Sequence, residues 1–147
     1  LTGCDAVIVA LRGGKGEAHN LLSTAVSHIV SGMRKLEISR LILISSIASP
    51  ASAAHMPTAS RLLSTLMGKA EREDLAAAEA IVVKSGLDWT ILRPGKLTDN
   101  DPTGNYRMGT ESKTILGDVS REDLAQVVVD EVERRTYLKT AAYIGKE

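Results

Sequence analysis

Ser85-Gly86-Leu87-Asp88-Trp89-Thr90-Ile91-Leu92-Arg93-Pro94-Gly95 holds the end of one element, the whole of a second, and a turn. Gly86 stops a helical segment that runs from about Leu62 to Lys84, with Lys84 well placed in its last turn. Trp89 to Leu92 is a short apolar run with aromatic and β-branched members, which reads as a buried strand. Arg93-Pro94-Gly95 ends that strand abruptly. A helix joined to a strand by a few residues is half of a βαβ unit.

Reading outward, the same alternation recurs. Upstream, Asp5 precedes Ala6-Val7-Ile8-Val9-Ala10-Leu11, a strand apolar enough to be buried on both faces. Arg12-Gly13-Gly14-Lys15-Gly16 makes a loop, and Asn20 offers a helix cap. Leu22, Ala25, Val26, Ile29, Val30 and Met33 then recur at helical spacing. Leu41 to Ile44 forms a second strand that ends at Ser45-Ser46. Ala48 to Ser60 is rich in Ala, Ser and Pro; it is either a loop over a site or a tolerated surface insertion. The helix that follows has a break near Gly68.

Downstream, Thr98 to Gly104 is a polar loop. Ser120 caps a helix whose first turn carries Glu122 and Asp123. Leu124, Val127, Val128 and Val132 face its core side, and Arg134-Arg135 sit at its end. Ala141 to Ile144 is a last short strand. The order β-α-β-α-β-α-β predicts an α/β fold with a parallel sheet and flanking helices, in a single domain over residues 1–147.

Composition narrows the function classes. Eighteen basic residues balance eighteen acidic ones, which gives no support for a nucleic-acid or membrane-surface partner. Aromatics are 3% with no Phe, too few for base-stacking platforms. The lone cysteine, Cys4, excludes an internal disulfide and any multi-cysteine zinc site, and reads as a small buried residue. No apolar run has the length of a membrane span and no signal peptide opens the chain, so a cytoplasmic setting is expected. The 147 residues would bury a core of ordinary domain size. The start at Leu1, just ahead of a strand, is nonetheless expected of a piece of something longer.

In an open parallel sheet, ligands bind beyond the carboxyl ends of the strands. That rule selects Leu11-Arg12-Gly13-Gly14, Ser45-Ser46-Ile47 and Arg93-Pro94-Gly95-Lys96. The first brings glycines that let backbone approach a ligand, or is an ordinary flexible turn. The second brings two hydroxyls, or simply ends a strand. The third brings a cation and a rigid turn, or is a structural turn whose arginine makes a surface ion pair. Other chemistries fare worse. His19, His28 and His55 have no metal-ligand spacing, and no Gly-x-Ser-x-Gly elbow occurs. Asp74 and Glu79, five apart on a helix, do not share a face well, so paired acid–base work is not expected of them; Asp74 either is a solvated helix carboxylate or faces the cleft.

Ser85 to Gly95 resembles the "SGLDYTIVRPG" segment of the NAD(P)H-binding, atypical short-chain dehydrogenase/reductase family. That family includes NmrA-like proteins and the flavin reductase/biliverdin reductase B type. Further matches fall in order: Gly3 to Ile8, Ile44-Ser45-Ser46, Leu97-Thr98-Asp99 with Thr103 to Arg107, and Ser120 to Ala125. The resemblance covers essentially the whole chain. It implies a Rossmann-type sheet that lacks its first βαβαβ half, beginning at the fourth strand. The glycine-rich phosphate loop of that half is not in this sequence. The first strand here would then have an open edge, which implies self-association.

The resemblance further implies NADP(H) as cofactor, with NAD(H) as the alternative. Ala10, Leu11, Arg12, Ser45, Ser46, Arg93, Pro94 and Gly95 would bind it, and Ser45, Ser46 and Lys96 would serve the reaction. No metal is implied. Tyr106, Tyr137 and Tyr143 are not followed by Lys in the Tyr-x-x-x-Lys spacing. The flavin reductase-like branch also lacks that pair, so the implied reaction is hydride transfer to a flavin, quinone or other planar small molecule. The rival readings are a non-catalytic NAD(P)-binding regulator of the NmrA type, and a fragment that is inactive without the glycine loop.

Overall fold

The computed structural model describes residues 2–12, 20–55, 68–111 and 117–146. Its main sheet contains β1 (Ala6–Val9), β2 (Arg40–Ile44), β3 (Asp88–Pro94), β5 (Tyr106–Gly109) and β7 (Thr140–Lys146). A two-stranded parallel pair joins β4 (Leu97–Thr98) to β6 (Val119–Ser120). The helices are α1 (Leu21–Lys35), α2 (Lys69–Val83) and α3 (Arg121–Arg134), with a 3-10 segment at Pro50–His55.

Strand order in the main sheet is β1-β2-β3-β7-β5. The first four strands are parallel, as the alternation predicts. β5 departs from that expectation: it runs antiparallel to β7 and closes that edge. Its alternation of half-buried Tyr106, exposed Arg107 and half-buried Met108 suits a strand with one covered face. At the opposite edge lies β1, where Ile8 is 48% exposed.

The two-residue period of the strands splits the core into two layers. Val9, Leu41, Leu43, Trp89 and Ile91 pack with the α1 and α2 side chains Val26, Met33, Leu75, Ala78 and Val82. Ile42, Leu92, Ala142 and Ile144 meet Leu124, Val127 and Val128 of α3 on the other face.

The helix caps follow the sequence in one case and depart from it in another. Ser120 accepts a hydrogen bond from the Asp123 N–H at 2.9 Å, which starts α3 as expected. Asn20 occupies the N-cap position of α1 but makes no side-chain cap bond. Instead Asp74, on α2, accepts from the backbone N–H groups of Leu22 and Ser23 at 2.9 Å each. Gly68 is the N-cap residue of α2, in keeping with the break expected there. The Leu62 to Met67 part of the long helical expectation, and residues 56–60 of the Ala/Ser/Pro stretch, lie outside the described residues.

Asp123 also accepts from the N–H groups of Thr103 (3.1 Å) and Gly104 (3.0 Å), which pins their turn to α3. The Thr103 bond, against the opposing effect of burial and with help from Gly104, holds the Asp123 carboxyl below its usual range. The unfolded chain therefore takes up that proton more readily than the folded one. Stability is full above the ordinary carboxylate pKa of about 4 and falls as pH drops through the lower folded value. Asp123→Asn should flatten this acid limb in a plot of denaturation midpoint against pH. An unchanged slope would assign the acid sensitivity to other groups.

At the amino ends of β2 and β3 a second polar cluster is buried. Arg40 donates to the Glu131 carboxylate at 3.2 Å, to the Glu131 carbonyl at 2.8 Å and to the Asp88 carbonyl at 3.0 Å. Thr90 and the N–H groups of Thr136 and Tyr137 also donate to the Glu131 carboxylate. This end of the sheet is a structural lock, opposite the end where parallel sheets place ligands.

Candidate functional site

The site is built from the carboxyl ends of β1, β2 and β3. Ile44 pairs with Leu92 in the β2–β3 register, and Arg93 pairs with Tyr143 in the β3–β7 register. The chain continues past β2 with Ser45 N–H bonded to the Leu92 carbonyl at 2.7 Å and Ile47 N–H bonded to the Pro94 carbonyl at 3.0 Å. Ser45, Arg93 and Tyr143 thus form a cross-strand row on the face that α2 covers.

Arg93 is 8% exposed, so the expected surface ion pair is instead a buried one. Its guanidinium grips Glu79 of α2 in a two-point fork, Nε to Oε1 at 3.1 Å and Nη2 to Oε2 at 2.7 Å. Nη1 donates to the Tyr143 hydroxyl at 3.1 Å, and the guanidinium carbon lies 5.5 Å from the Tyr143 ring centre. Burial works against the Arg93 charge, but its hydrogen bonds and attraction to Glu79 prevail and raise its pKa above the ordinary value. Ser45 donates its hydroxyl hydrogen to Glu79 Oε1.

The neighbouring groups are more open. Ser46 is half-buried, and its hydroxyl oxygen accepts from the Ala48 N–H at 3.1 Å. Ala10 and Leu11, expected inside the first strand, lie beyond its end and are exposed. Arg12 reaches across to Glu71 of α2 at 3.1 Å in an exposed pair. Gly13 to Gly16 lie outside the described residues. Pro94 is buried, and Gly95 donates its N–H to the Ile144 carbonyl at 2.9 Å. A Cβ on Gly95 would stand 2.2 Å from the Gly117 carbonyl oxygen. Lys96 is exposed, with its ammonium 3.7 Å from Asp118. The structure therefore gathers Ser45, Ser46, Arg93, Pro94 and Gly95 at one sheet end, with Arg93 turned inward and Lys96 paired outward.

Three readings of single residues change. Cys4 is exposed rather than buried. Asp74 is the remote cap of α1, not a solvated carboxylate. Glu79 is 4% exposed and belongs at the centre of the site. Its signal was in the sequence: Leu75, Ala78, Glu79 and Val82 form one buried stripe of α2, and a carboxylate in such a stripe requires a partner. Tyr143 and Gly117 were also missed, because both enter through contacts distant in sequence. Among the described residues no group of His, Cys, Asp or Glu could hold a metal ion, and no helix is long and apolar enough to cross a membrane.

Two hydroxyls, a close backbone turn and exposed apolar Leu11 border the same sheet end. Known proteins are similar to this chain. An uncharacterized chloroplastic protein of Arabidopsis thaliana is 34% identical over 104 residues, covering 70% of this chain and 37% of that protein. A short-chain dehydrogenase/reductase of the wide type from Veillonella parvula, solved in complex with NADP, superposes with a TM-score of 0.79 at 19% identity, covering 98% of this chain and 64% of that one. An anaerobilin reductase from Escherichia coli gives a TM-score of 0.75 at 25% identity, covering 95% of this chain and 62% of that one. The chain thus spans little more than a third of the curated relative and under two-thirds of either solved protein. A family model described as NAD(P)H-binding matches residues 1–135, which, in keeping with the Rossmann-like sheet, shows that the chain belongs to the NAD(P)H-binding family.

Proposed function

We propose that the protein carrying this chain is an NAD(P)H-dependent reductase that delivers hydride to a planar acceptor such as a flavin or quinone, with NADPH as the preferred donor. The observation that carries this reading is the grouping of Ser45, Ser46, Pro94 and Gly95 at the carboxyl end of a parallel sheet in a chain of the NAD(P)H-binding family. The bound cofactor supplies the hydride. This chain's part is to hold the two rings together, which is where most of the rate gain lies when no acid–base pair is present. Ser45 and Ser46 hydrogen-bond the nicotinamide amide or the acceptor. The backbone of Ala10, Leu11 and Arg12 borders the cofactor from β1, and Arg93, Pro94 and Gly95 form the wall opposite. Lys96 stands at the rim, where its exposed ammonium meets an anionic acceptor.

The test is to titrate the intact protein with NADPH and NADH and then offer flavin or quinone. The expected result is cofactor binding followed by acceptor-dependent loss of the reduced-nicotinamide absorbance. Tight binding of oxidised and reduced cofactor without turnover of any planar acceptor would instead support the regulator reading. Failure to bind either cofactor would remove both.

A further inference from the structure

The two serines at this site are not equivalent. Ser45 lies on the α2 face, in a row with Arg93 and Tyr143, and its hydrogen is directed at Glu79. The oxygen that accepts it, Glu79 Oε1, also receives Arg93 Nε at 3.1 Å. A carboxylate gripped by a guanidinium fork offers acceptors only, so the hydrogen in the Ser45–Glu79 bond has to come from the serine. Arg93 in turn is held by the Tyr143 hydroxyl and ring, and Glu79, Arg93 and Tyr143 are all buried. Ser46 is bound the opposite way. Its oxygen is used by the Ala48 N–H, and its hydrogen has no acceptor among the described residues.

Stability alone does not account for this arrangement. A buried ion pair is often no better than well-packed apolar residues of the same volume. Its position at the ligand end of the sheet, directly behind a hydroxyl, gives it another use. We propose that Glu79 is the positioning residue of this site: it captures the Ser45 hydrogen, so that Ser45 offers a bound ligand only lone pairs while Ser46 is the hydroxyl that donates. The ligand group matched by this pair is a primary amide lying across both serines, with its N–H toward Ser45 and its carbonyl toward Ser46. A nicotinamide carboxamide has that form. The identification of the ligand rests on the reductase reading above; the orientation of the two hydroxyls does not.

The experiment uses the intact protein and five forms: wild type, Ser45→Ala, Ser46→Ala, the double variant Glu79→Met with Arg93→Met, which removes the fork at similar volume, and that double variant with Ser45→Ala added. Proton NMR should show a slowly exchanging hydroxyl proton that disappears in Ser45→Ala and in the double variant but persists in Ser46→Ala. With NADPH and flavin, Ser46→Ala should lower kcat about tenfold, as loss of one directed hydrogen bond would. In the double variant, adding Ser45→Ala should cost less than Ser45→Ala costs in wild type, because Glu79 acts through that serine. A protected hydroxyl assigned to Ser46, or one that survives loss of the fork, overturns the proposal. Should the double variant not fold, the comparison of the two serine variants still assigns the proton. If no cofactor binds at all, the reductase reading fails while the NMR result still decides the positioning role.

Discussion

Glu131→Ala should destabilise the protein by about 3–5 kcal/mol, the usual cost of removing one partner of a buried ion pair. Arg40 and Glu131 are 1% and 4% exposed, so water cannot take the place of the lost carboxylate. Burial already works against the Arg40 charge and lowers its pKa; attraction to Glu131 is the main opposing effect. The Arg40 Nε is buried with no hydrogen-bond partner among the described residues even in the intact cluster. The substitution would also strip Thr90 and the N–H groups of Thr136 and Tyr137 of a carboxylate acceptor. Arg40 opens β2, Thr90 lies near the start of β3, and Tyr137 leads into β7, so the damage reaches three strands at once. Urea denaturation followed by circular dichroism would read the loss as a shift in midpoint. Replacing both partners, Arg40→Met with Glu131→Leu, should recover much of it, because two apolar groups leave no orphaned charge. A Glu131→Ala protein within about 1 kcal/mol of wild type would mean that the cluster is solvated and contributes little.

Gly95→Ala should damage both stability and the site. The added methyl would meet the Gly117 carbonyl oxygen at 2.2 Å, a backbone atom that no rotamer change can move aside. The Gly95 N–H is tied to the Ile144 carbonyl of β7, which limits how far Gly95 itself can shift. Overpacking of this kind costs about 1–3 kcal/mol. Because Gly95 follows Pro94 at the carboxyl end of β3, the displacement would also spread into the proposed cofactor wall. NADPH affinity should fall about tenfold, which is worth about 1.4 kcal/mol. Thermal melts with and without NADPH separate the two effects. A melt unchanged from wild type would show that the β4–β6 connection is free to move.

The parallel core was legible because its signals are local. The apolar runs at Ala6–Val9, Leu41–Ile44 and Trp89–Leu92, and the cap at Ser120, each depend on neighbours within a few residues. β5 was not, since Tyr106-Arg107-Met108 alternates over too few residues to stand out and becomes a strand only by pairing with β7. The site divided in the same way. The rule for parallel sheets found Ser45, Ser46 and Arg93 by their place after strands. Whether Arg93 points outward or inward depends on Glu79, fourteen residues earlier, and on Tyr143, fifty later. The five-residue spacing of Asp74 and Glu79 carries no information about either role. Each carboxylate answers to a different distant group, one to Arg93 and Ser45, the other to the first turn of α1.

The contact from Asp74 to α1 has a kinetic meaning as well. The first turn of a helix ordinarily frays by itself, and its amide protons exchange with solvent at little cost. Here the Leu22 and Ser23 amides are also held by a residue of another helix, so their release requires that contact to break, and their exchange should be slower than that of an uncapped first turn. Those two amides report, from inside the fold, on whether the helix that carries Glu79 is seated.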